Sequence, residues 1–98
     1  MSRFNELINS NTPVLVDFYA TWCNPCKQLS PIIEEVAIDM KGKAKVIKID
    51  IDKNPAAAQA YQIRGVPTMI LFKDGQQVWK QSGVMPKEMI VGAIKKFC

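Results

Sequence analysis

The sequence contains no histidine, and that absence excludes more than any single residue present can include. Ser-His-Asp and Cys-His catalysis both need an imidazole as general base, so neither is available. Structural zinc takes four Cys or His ligands, whereas the chain has three cysteines, one of them at its last position. A metal site within one chain is therefore not expected. Neither G-x-G-x-x-G nor G-x-x-x-x-G-K-S/T occurs, which leaves no phosphate cradle for a nucleotide cofactor. No apolar run approaches the ~20 residues of a membrane span, and Met1-Ser2-Arg3-Phe4-Asn5-Glu6 lacks the apolar core of a secretory leader. The expectation is a cytoplasmic chain with no membrane partner. Charge of one sign is not concentrated either. The net +4 comes from Lys and Arg spread along the sequence, without the basic stripe and interleaved aromatics of a nucleic-acid binder. With 98 residues, 48% of them hydrophobic, one domain over 1–98 is expected, large enough to bury over ~60% of the unfolded surface.

What the sequence does have is Trp22-Cys23-Asn24-Pro25-Cys26-Lys27. Two thiols at i and i+3 on a helix lie one above the other, within the roughly 4.4–6.8 Å Cα separation that a disulfide tolerates. The pair can open and close with little backbone movement. A cysteine at a helix N-terminus faces unpaired backbone N–H groups and the positive end of the helix dipole, which favour thiolate over thiol. Cys23 occupies that place, so it is the attacking thiol. Cys26, one turn further in, is expected to be more buried and to be the resolving thiol. Free cysteines are also often small buried hydrophobes. In a reducing compartment, however, Trp22 before the pair and Pro25 within it favour a redox motif over a structural staple. Pro25 lacks an N–H and fits a first helical turn at little cost.

Along the chain, Ser2 can cap a short helix with Phe4, Leu7 and Ile8 on one face, and residues 9–13 form a turn cluster. Residues 14–20 are an almost unbroken apolar run, as in a strand covered on both faces, with Asp17 the exception. Flanked by Val16 and Phe18, Asp17 is expected to be buried, with its carboxyl pKa raised by desolvation into a range useful for proton transfer. Leu29, Ile32, Ile33, Val36, Ala37 and Met40 recur at helical spacing, and Pro31 should kink that helix without ending it. A strand at 45–51 follows, which implies a parallel strand-helix-strand unit. Asn54-Pro55 starts a short helix over 56–61, and a third strand covers 68–72. Asp74-Gly75 is a two-residue hairpin turn into a fourth strand at 76–82. Pro86 opens a last helix with Met89, Ile90, Ala93, Ile94 and Phe97 on one face.

A β-α-β half, then a β-hairpin and a covering helix, with C-x-x-C at the first strand-helix junction, resembles the thioredoxin family. The resemblance spans almost the whole chain and rests on residues 16–23, Pro25-Cys26-Lys27, Pro31, Asp50-Ile51-Asp52, Asn54-Pro55, Arg64-Gly65-Val66-Pro67-Thr68, Phe72-Lys73-Asp74-Gly75 and Gly83. It implies an α/β fold with a central mixed four-stranded sheet flanked by helices on both faces. It also implies a protein-disulfide oxidoreductase whose only redox group is the Cys23–Cys26 disulfide, recycled by a thioredoxin reductase and acting on disulfide-containing client proteins as a monomer. The reactive thiolate and low potential of such a pair belong to the family and do not follow from the spacing. By the same resemblance, Asp17 lies under Cys26 and helps deprotonate it, and Lys48 lies near Asp17, although an exposed edge lysine is an equal reading of Lys48. Val66-Pro67 carries a cis bond facing the disulfide, making Pro67 part of the catalytic set. Trp22, Asn24, Pro25, Ile51, Gly65, Val66 and Gly83 form the surface on which a client peptide docks, pairing with the Val66 backbone as a short added strand.

Three departures stand out. Members normally begin with a further strand before the first helix, for which this chain has no residues, so the strand at 45–51 is expected at a sheet edge, with Lys45 and Lys48 discouraging pairing with another chain. Asn24 stands where Gly is usual, and its amide is expected to donate to the Cys23 thiolate. Tyr19 stands where many members have a second Trp, and Ser82 is more polar than is usual at its position. Rival readings are a more oxidising thiol oxidase or isomerase and a non-catalytic binding module on the same fold. The second would need neither cysteine nor Asp17. Cys98 is expected to be an incidental terminal thiol.

Overall fold

The strand β1, Val14–Tyr19, lies inside the sheet and is apolar at nearly every position because both of its faces are covered. A computed structural model describes residues 2–98 of the chain, and side chains from Arg3 onward. The expected cap by the Ser2 hydroxyl lies outside the described side chains. The elements run α1 (Ser2–Ile8), β1, α2 (Asn24–Asp39), β2 (Lys45–Asp50), α3 (Pro55–Ala60), β3 (Thr68–Lys73), β4 (Gln76–Ser82) and α4 (Lys87–Lys95). The sheet order is β2-β1-β3-β4, with β1 parallel to β2 and antiparallel to β3, and β3 antiparallel to β4. This is the expected mixed four-stranded sheet. As expected too, β2 is an edge, and Lys45 and Lys48 are both exposed along it.

Alternation along β1 assigns its two faces. Leu15 packs with Leu29, Ile33 and Val36 of α2 and with Ile90 and Ile94 of α4. Val14, Val16 and Phe18 pack with Phe4 and Ile8 of α1 and Ala57 of α3. Helices thus cover both faces, and the side chain of Asp17, two residues after Leu15, is directed to the α2 side. Phe4, Phe18, Tyr61 and Phe72 form a tilted and edge-to-face aromatic group on the opposite side, with centroids 5.2–6.3 Å apart.

Pro31 lies inside α2, which continues unbroken from Asn24 to Asp39, although proline removes one backbone donor. The apolar stripe holds the helix on the sheet through that gap. Asp74 and Gly75 both have positive φ, 53° and 79°, the backbone of a primed two-residue hairpin turn. Two of the face assignments fail at helix ends. Leu7 is 44% exposed and Met89 is 59% exposed, because α1 and α4 each present only a narrow stripe to the sheet. Leu29, fully buried one turn after the cysteine pair, anchors α2. Leu29→Ala is expected to cost about 2–5 kcal/mol, measured as a lowered urea midpoint with an unchanged denaturant slope.

Candidate functional site

Cys23 and Cys26 form a disulfide with their Cα atoms 5.3 Å apart. Cys23 is the N-cap of α2, in extended backbone conformation, and its Sγ accepts the Cys26 N–H at 3.1 Å. A sulfur at a cap position thereby takes the place that a Ser or Asp oxygen usually fills. Burial does not distinguish the two residues, contrary to expectation: Cys23 is 4% and Cys26 5% exposed. What distinguishes them is the cap. The Cys26 N–H is aimed at Cys23 Sγ, and among the described residues no hydrogen-bond donor is directed at Cys26 Sγ. The exposed Asn24 side chain makes no hydrogen bond among the described residues, so the donor expected from it is supplied in this disulfide state by backbone.

Asp17 is 1% exposed, and its Oδ1 has no hydrogen-bond partner. Burial pushes its carboxyl from the ordinary 3.8 up to about 6, against an opposing pull from the Lys48 ammonium. Lys48 is the cross-strand neighbour of Asp17 in the parallel β1–β2 pair. It makes no ion pair with Asp17 among the described residues. Its Nζ donates to Ser30 Oγ at 2.9 Å and sits 4.8 Å from the centre of the Tyr19 ring. Tyr19, Cys26, Ser30 and Lys48 line a small cleft of about 210 Å³ on the α2 side of the sheet. Asp17, Lys48 and Cys26 therefore belong to one face and one corner of the molecule.

The Val66-Pro67 peptide bond is cis, and Pro67 is buried. The Val66 carbonyl oxygen lies 3.6 Å from Cys23 Sγ. Val66, Ile51 and Tyr19 pack against Ala20, Cys23 and Cys26. The Gly83 N–H donates to the Pro67 carbonyl at 2.9 Å, and Gly83 holds a φ of +91° that favours glycine. Trp22, Asn24, Pro25 and Gly65 are exposed, Trp22 to 66%.

Two groups were not assigned a role by spacing. Asp52 Oδ2 accepts the Trp22 Nε1–H at 2.8 Å across a separation of 30 residues. Asp50 Oδ1, on a buried residue, accepts the Asp52 N–H at 2.9 Å, so the turn that presents Asp52 is itself braced. Thr68 joins Gly65 to Ser82 through its hydroxyl. No local pattern in the sequence links residues so far apart. Asp52→Ala is expected to release the indole, seen as lower Trp22 fluorescence anisotropy in a Trp79→Phe background. Stability should fall by only about 1 kcal/mol, as for an exposed hydrogen bond.

A thioredoxin family model matches residues 1–96. The chain belongs to the thioredoxin family. It is 50% identical over 82 residues to thioredoxin from Staphylococcus aureus strain Mu50, which covers 84% of this chain and 79% of that protein. Among solved structures, a mutant thioredoxin from Halobacterium salinarum NRC-1 superposes with a TM-score of 0.89 at 40% identity, covering 99% of this chain and 84% of the other. Thioredoxin from Malassezia sympodialis also superposes with a TM-score of 0.89, at 30% identity, covering 99% of this chain and 85% of its own. The fold is the thioredoxin fold, and the chain is a protein-disulfide reductant whose redox group is a cysteine-pair disulfide. Among the described residues no cluster of His, Cys, Asp and Glu could hold a metal ion, and no helix is long and apolar enough to cross a membrane.

Proposed function

We propose that the dithiol works through Cys23 as nucleophile, Cys26 as resolving thiol and Asp17 as the base for Cys26. The observation that carries this reading is the N-cap geometry, in which a backbone N–H 3.1 Å from Cys23 Sγ can stabilise a thiolate there. Cys23 thiolate attacks one sulfur of a client disulfide, forming a mixed disulfide and expelling the other client sulfur as thiolate. Cys26 gives its proton to Asp17 and attacks Cys23 Sγ, releasing the second client thiolate and leaving the Cys23–Cys26 disulfide. The client has gained two electrons. A thioredoxin reductase supplies two more electrons to the Cys23–Cys26 disulfide and restores the dithiol, which makes the chain an electron carrier between that enzyme and its clients.

The client lies across Trp22, Asn24, Pro25, Ile51, Gly65, Val66 and Gly83, and pairs with the Val66 backbone beside the cis Pro67. Lys48 acts through its charge on Asp17. The protein works in the cytoplasm, where thiols are kept reduced, as one domain over 1–98. It does so as a monomer, a state supported by the lysines along the exposed β2 edge. Bacterial thioredoxin reductase with NADPH and insulin as the disulfide substrate tests the cycle. NADPH oxidation should require both the chain and insulin. If NADPH is not consumed, or if Cys26→Ser and Asp17→Asn leave the rate unchanged, the proposed roles fail.

A further inference from the structure

Thr68 is 2% exposed, and its hydroxyl approaches two oxygens. The Gly65 carbonyl, 2.7 Å away, can only accept, so the single Thr68 proton is directed there. The contact with Ser82 Oγ at 3.0 Å must then have Ser82 as donor. The order is Ser82 O–H to Thr68 Oγ1, and Thr68 O–H to the Gly65 carbonyl. Thr68 and Ser82 are cross-strand partners at the end of the β3–β4 pair, and the next residue, Gly83, donates its N–H to the Pro67 carbonyl at 2.9 Å. The end of β4 therefore holds the carbonyls on both sides of Val66. The Val66 carbonyl, between them, is left facing Cys23 Sγ at 3.6 Å.

We propose that Ser82 is a positioning residue for client docking, acting through Thr68 and Gly65 to fix the Val66 backbone against the disulfide. This rests on the reading of Val66 and its surroundings as the docking surface. A hydroxyl donating to Thr68 ties up an acceptor on a buried side chain and strengthens the bond Thr68 makes in turn. An apolar residue at 82 would leave Thr68 bound to Gly65 alone, and the Gly65–Val66 segment freer to move before a client arrives. Ordering it would then be a cost of binding.

The test is reductase-coupled insulin reduction by the full chain, with kcat and KM for insulin resolved separately. Ser82→Ala should raise KM about three- to fivefold, the effect of one neutral hydrogen bond, with kcat nearly unchanged. Ser82→Thr, which keeps the hydroxyl, should restore KM. The reaction of the reduced protein with a small aromatic disulfide, which needs no docked peptide, should be the same for the unsubstituted protein and both Ser82 variants. Trp22→Ala serves as the separate probe of the docking surface. If Trp22→Ala raises KM and Ser82→Ala does not, the docking reading stands and the role of Ser82 is overturned. If neither raises KM, both are overturned. A slowed reaction of Ser82→Ala with the small disulfide would overturn the positioning role as well, since the effect would then lie on the thiols.

Discussion

Cys26→Ser should accumulate client proteins as mixed disulfides on Cys23, while Cys23→Ser should accumulate almost none, and each should lose reductase-coupled turnover by about a thousandfold or more. The asymmetry cannot come from access, because the two residues are almost equally buried. It comes from where the negative charge is stabilised. Cys23 Sγ sits at the N-cap and receives the Cys26 N–H at 3.1 Å. A hydrogen bond to a charged group contributes about 1.5–3 kcal/mol, and the helix dipole adds about 0.3–1 kcal/mol. Cys26 Sγ receives no comparable donor among the described residues. A client attacked by Cys23 is normally released because Cys26 is already held one helical turn away, so resolution is intramolecular and fast. Replacing Cys26 removes that step and leaves the adduct. Mass spectrometry of trapped adducts with Cys98 replaced by Ser decides the matter. Equal trapping by both variants would show that the cap does not select the nucleophile.

Much of this was legible in the sequence because the determinants are local. The spacing of Cys23 and Cys26, Pro25 between them and the apolar run of β1 all act within one or two turns of chain. The Asp74-Gly75 turn does too, and each of these features lies where local reasoning places it. Periodicity also identified α2 correctly through Pro31. It failed for Leu7 and Met89, since spacing defines a helix face but not how wide a stripe the sheet will cover. Local reasoning failed again for the relative burial of the two cysteines: Cys26 is buried as expected, but Cys23 is equally so, because Val66 and Ile51 pack against the pair from elements remote in sequence. The bond from Trp22 to Asp52 and the path from Ser82 through Thr68 to Gly65 were illegible for the same reason. They depend on which turns the folded sheet brings together, and no single segment encodes that.

Asp17→Asn should make the protein more stable and its turnover slower, and both effects should depend on pH. The carboxyl is buried with Oδ1 unpartnered, and burial raises it to about 6 in the fold. Below the unfolded value near 3.8 both states carry the proton, so the charge costs nothing. As pH rises from there, the unfolded chain releases its proton while the folded one keeps it, and wild-type stability falls relative to the Asn variant. Above about 6 both states are ionised and the gap becomes constant, shifted by about 3 kcal/mol in favour of Asn relative to its value at low pH. Urea midpoints from pH 3 to pH 8, an interval chosen to span both values by about a unit or more, measure it. The Lys48 ammonium already offsets part of the cost, so Lys48→Met should raise the Asp17 carboxyl further and widen the gap. A gap independent of pH would mean that the carboxylate is solvated in solution. Catalysis should move the other way. With no carboxylate to take the Cys26 proton, turnover near neutrality should fall by roughly tenfold or more. It should recover at higher pH, where the thiol loses its proton without help.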